Sequence, residues 1–134
     1  MALLAMPASL LARTWPQKAL AATDASKALI NLLGTDQTTP SEKIALSAPA
    51  IAENGAAVAV SVECSLPGIE SISIVVEKNP RPLAISFDFT PRMLPGIACR
   101  IKMAETSRVM AVVATDHGIF STSREVKVTV GGCA

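Results

Sequence analysis

The chain has 134 residues, one domain's worth, and half of them are apolar, so it can bury a core of its own. Its charges are scattered and sum to +1, and its only aromatic residues are Trp15, Phe87, Phe89 and Phe120, which excludes the basic, aromatic-interleaved surface that a nucleic-acid partner requires. No apolar run reaches the roughly 18 residues of a membrane span.

The first twelve residues, MALLAMPASLLA, are apolar and uncharged, and Ala19-Leu20-Ala21 supplies an A-x-A pattern. Residues 1–21 therefore read as a signal or targeting segment with its cleavage site. The fit has one gap: no basic stretch precedes the apolar run, and Arg13 and Lys18 follow it. The competing reading is an amphipathic or loose N-terminal segment of the mature protein.

Residues 22–43 read as a helix and a linker. In DASKALINLL (24–33), Asp24 or Ser26 caps the start, Ala28, Leu29, Leu32 and Leu33 form an apolar face, and Gly34 stops the helix. The polar TDQTTPSEK that follows is a loop.

From Ile44 to Val130 the period changes to two. Ile44-Ala45-Leu46 is a short strand, and Glu53-Asn54-Gly55 is a turn. Val58, Val60, Val62 and Cys64 alternate with small or polar residues, as one buried face of a strand does. Ile72, Ile74 and Val76 continue the pattern, with Val75 adding a second buried face. Residues 83–89 form a further strand. Ile97, Cys99, Ile101 and Met103 share a face, and Val109 to Thr115 is continuously apolar. Asp116-His117-Gly118 is a hairpin turn, after which residues 119–123 and Val126, Val128 and Val130 form the last strand. About seven short strands with turn signals between them predict an all-β, antiparallel sandwich of immunoglobulin-like type behind a short N-terminal helix.

The sequence offers little catalytic chemistry. The single histidine, His117, sits in a turn; no glycine-rich phosphate loop is present; and Cys64, Cys99 and Cys133 are too isolated to form a metal motif. No enzyme activity, cofactor or metal is expected. By strand phase Cys64 and Cys99 both point inward. They are either two small buried hydrophobes or a disulfide, the second only where their Cα atoms lie within about 7 Å.

Cys133 stands apart. It follows Gly131 and Gly132 at the end of EVKVTVGGCA, so residues 131–134 read as a flexible arm carrying a thiol. Its nearest charge in sequence is the carboxylate of Ala134, which disfavours the thiolate. Such a thiol holds a cargo and leaves the chemistry to others.

The stretches APAIAENGAAVAVSVE (48–63), IVVEKNPRPLAISFDFTP (74–91), ACRIKMAETSRVMAVV (98–113) and EVKVTVGGC (125–133) resemble the SoxY family, the sulfur-carrying subunits of the thiosulfate-oxidising Sox system. The resemblance covers most of the chain after residue 44. It implies an immunoglobulin-like sandwich, export to the periplasm and a heterodimer with a SoxZ-like subunit. It also implies that sulfur intermediates are bound covalently to Cys133, on an arm of Gly131 and Gly132, and passed among the Sox enzymes that load, hydrolyse and oxidise them. Three departures stand out. The family's arm reads Gly-Gly-Cys-Gly-Gly, whereas Ala134 follows Cys133 here; no twin-arginine pair occurs in residues 1–22; and Cys64 and Cys99 exceed the one cysteine a carrier needs. The alternative function is an interaction module that uses Cys133 for an intermolecular disulfide.

Overall fold

Strand alternation sets the architecture of the computed structural model, which describes residues 16–132. In β4 (Val58–Cys64), Val58, Val60, Val62 and Cys64 are all buried while Ala59 and Glu63 face out. β4 is the centre of an antiparallel three-stranded sheet, flanked by β2 (Ile44–Ser47) and β7 (Gly96–Ile101). The second sheet runs in the order β1-β9-β8-β5-β6, with the short β1 (Thr39–Pro40) at one edge. Its long members are β5 (Ile69–Val76), β6 (Leu83–Asp88), β8 (Ser107–Thr115) and β9 (Gly118–Val128), all paired antiparallel. The main core lies between the sheets, where Val58 and Val62 meet Ile72, Ile74, Val113 and Val126. This is the immunoglobulin-like sandwich the sequence predicts.

A second apolar cluster explains the strands that lack alternation. α1 (Gln17–Ala21) and α2 (Ala25–Leu33) cover the outer face of the larger sheet, placing Ala19, Ala28 and Leu29 against Val75, Leu83 and Val112. β5 and β8 are therefore buried on both faces, β8 as the continuous apolar run Val109 to Ala114 and β5 with the small, buried Ser71 and Ser73 among its apolar residues. α2 begins and ends as its sequence dictates. Asp24 is the N-cap, its carboxylate accepting from the Lys27 amide, and Gly34 closes the helix in the left-handed region at φ 84°.

Three features depart from the expectation. α1 occupies part of the segment read as a signal, and its Ala19, in the A-x-A pattern, is 1% exposed. The last strand runs from Gly118 to Val128, where Arg124 and Glu125 keep their backbone pairing with Val109 and Arg108, and it stops short of Val130, which is exposed. Two short segments, β1 (Thr39–Pro40) and β3 (Ile51–Ala52), lie parallel to β9, a pairing that alternation alone does not reveal. Among the described residues no helix is long and apolar enough to cross a membrane.

Candidate functional site: the root of the C-terminal arm

Cys133 and Ala134 lie outside the described residues; Gly131 and Gly132 lie within them. The chain approaches the cysteine through a series of backbone hydrogen bonds that outlasts β9. The Thr129 amide donates to the Ala52 carbonyl at 3.1 Å, the Gly55 amide to Val130 at 2.8 Å, and the Gly132 amide to Met103 at 2.9 Å. The Met103 amide donates in turn to the Gly55 carbonyl at 2.7 Å, and the Thr129 hydroxyl to the Glu53 carbonyl at 3.1 Å. The Glu53-Asn54-Gly55 segment, read from sequence as a turn, is thus one wall of the site. The turn after β7 is the other.

Both glycines of the arm are packed. A Cβ on Gly131 would stand 2.2 Å from the Ala104 carbonyl oxygen, and one on Gly132 would stand 2.6 Å from the Ala56 nitrogen. Neither has a positive φ; the glycines that do are Gly34, Gly68 and Gly118. In this structure, then, the pair answers a need for space between backbones. Freedom of path, the sequence-based reason for two glycines, is not what they supply here.

The other cysteines lie elsewhere. Cys64 is buried at 5% exposure, Cys99 is half-buried, and both are free thiols. The disulfide alternative fails on register. Cys99 pairs with Val60, four residues along β4 from Cys64, which at the rise of a strand is about 13 Å and well beyond the roughly 7 Å a disulfide tolerates. Burial pushes the Cys99 thiol up from its ordinary value of 9.0. His117 bonds to the carboxylate of Asp116 at 2.5 Å, in the turn before β9, whereas the arm leaves the other end of that strand. Ten strand rises separate Gly118 from Val128, roughly 33 Å. Among the described residues no cluster of three or more His, Cys, Asp or Glu side chains is placed to hold a metal.

These features define a class: an immunoglobulin-like β-sandwich whose last strand leads through a packed glycine pair to a cysteine. Residues 29–133 match the family described as sulfur oxidation protein SoxY, and the chain belongs to that family. The solved structure of the sulfur carrier protein SoxY from Chlorobium limicola f thiosulfatophilum is 41% identical, covers 77% of this chain and 94% of its own, and superposes with a TM-score of 0.69. A superoxide reductase (neelaredoxin) from Ignicoccus hospitalis shares the fold alone, at 17% identity and a TM-score of 0.58, covering 65% of this chain and 80% of its own. Among curated proteins no match is found.

Proposed function

We propose that this protein is a covalent carrier of sulfur intermediates in thiosulfate oxidation, with the cargo on the Cys133 thiol. The observation that carries the reading is that the family match runs through Cys133 itself, the residue that follows the anchored glycine pair. Thiosulfate is joined to the thiol with loss of one proton and two electrons to an oxidising partner. Water then releases the sulfone end as sulfate, and the sulfane sulfur left on the cysteine is oxidised and released in the same way. Each step belongs to a separate enzyme, and the carrier itself is non-catalytic. A SoxZ-like subunit completes a heterodimer, and the periplasm is the compartment.

The test is the intact mass of the protein purified without reductant from cells oxidising thiosulfate. Added masses of thiosulfonate, persulfide or sulfonate groups, located on the C-terminal peptide, are expected. They should vanish in Cys133→Ser while its thermal midpoint stays that of the wild type. A bare thiol, or only a disulfide-linked dimer on a non-reducing gel, overturns the reading in favour of an interaction module.

A further inference from the structure

Three glycines meet where the arm leaves the sandwich: Gly55, Gly131 and Gly132. Gly55 is buried, has no positive φ, and faces the arm directly. A Cβ there would stand 2.3 Å from the Met103 carbonyl oxygen and 2.8 Å from the Gly132 nitrogen, the two atoms joined by the hydrogen bond that holds the arm. Both are backbone atoms, so neither can swing aside as the end of a side chain would. Any side chain at 55 must part them.

The Met103 carbonyl is itself held from behind. Asn79 is 7% exposed, and its side-chain amide spans the turn that carries Met103. Its Nδ2 donates to the Lys102 carbonyl at 2.7 Å, and its Oδ1 accepts from the Ala104 amide at 2.9 Å. A buried amide that satisfies both neighbours of one residue fixes the direction in which that residue's carbonyl points. Met103 is fully buried, which pins the same turn from its side-chain end.

We propose that Gly55 and Asn79 are positioning residues for the carrier thiol: Gly55 makes room for the arm's root, and Asn79 aims the carbonyl that grips Gly132. The arm is then anchored through Gly132, one residue before the cysteine. From the Gly132 Cα the covalent chain lets a sulfur at the next position reach only about 6 to 7 Å. While that bond holds, a partner enzyme meets the thiol by taking this end of the sandwich, with residues 52–56 and 102–104, up to its own cleft. The inference rests on the carrier reading of Cys133.

Amide hydrogen exchange of the full, reduced chain, read by NMR at Gly132, tests it. The wild-type amide should exchange at least about tenfold more slowly than in a free peptide. Gly55→Ala and Asn79→Ala should bring it within a few-fold of the free rate. The control is Gly34→Ala, which strains the helix cap at φ 84° and meets nothing within 4 Å, and so costs stability without touching the arm. It should leave Gly132 protected. Gly55→Ala should also raise KM for enzymatic loading with thiosulfate by about tenfold, while alkylation of Cys133 by iodoacetamide does not slow. A Gly132 amide that exchanges freely in the wild type overturns the proposal even if Gly55→Ala fails to fold. Protection and loading that survive Gly55→Ala overturn it as well. Normal loading with a free amide sinks the clamp and leaves the carrier reading standing. A protected amide on a Cys133 that never takes up sulfur sinks the carrier reading and upholds the anchor.

Discussion

At the scale of single residues, the two core cysteines show what strand phase can and cannot give. Alternation placed both side chains inward, and Cys64 is indeed buried while Cys99 is half-buried. Their distance from each other was not legible. It depends on the register of β7 on β4, set by a long excursion of the chain through β5 and β6 in the other sheet. Because burial raises the Cys99 thiol above 9.0, its alkylation in the native protein should reach half-maximal rate at a more alkaline pH than in denaturant. Cys64 should label only on unfolding. The sign for stability follows from linkage. The folded state holds the Cys99 proton more tightly, so that contribution is fully present below about pH 9.0 and is lost as the pH rises through the folded value. Labelling rates resolved by mass from pH 7 to 11 check this; a Cys99 as reactive as a free thiol contradicts it.

Elements carry the next set of expectations. α2 was readable because its signals are local: the Asp24 cap, the apolar face and the terminal Gly34 lie within eleven residues of each other. Asp24→Ala should cost about 1 kcal/mol by leaving the Lys27 amide without its partner, measurable as a lowered urea midpoint. From the first turn of the helix the Ser26 hydroxyl donates to the carboxylate of Asp36, just past the helix end, and this bond, with one from Gln37, holds Asp36 below its ordinary 3.8. A depressed carboxylate stabilises the fold above that pH, and its contribution fades as the pH falls through the folded value. Asp36→Asn should flatten that part of the acid limb. α1 and the two parallel segments escaped sequence reading for opposite reasons. α1 is only five residues long, and its apolar character suits a targeting segment equally well. β1 and β3 are two residues each and owe their conformation to β9. The Gly131-Gly132 pair misled in a third way: sequence shows that a glycine is permissive, and only the approach of Gly55, Ala56 and Ala104 shows that it is required.

The whole molecule is a three-layer stack, with helices on the larger sheet and that sheet on the smaller. Its centre is β5, buried on both faces, where Ile72, Ile74, Val75 and Val76 are all shut away from water. Ile74→Ala should cost about 2–5 kcal/mol, a large share of the roughly 5–15 kcal/mol that holds a domain together. A urea titration should show a lower midpoint with an unchanged slope. A loss under 1 kcal/mol would mean that the two sheets close over the missing atoms. The same stack separates the two ends of β9, with the hairpin of His117 at one and the arm at the other.

β9 is the longest strand, and one side of it is given to β8. Its other side is covered twice, by β1 at Phe120 and Ser121 and by β3 at Lys127 and Val128. Between those patches only Thr122 to Val126 remains, and there the exposed Arg124 reaches across to the Ala48 carbonyl. A second molecule seeking to add a strand finds a gap too short to template and guarded by charge. The two parallel segments thus act as stoppers against edge-to-edge aggregation, letting the chain be crowded without seeding a fibril from its longest strand.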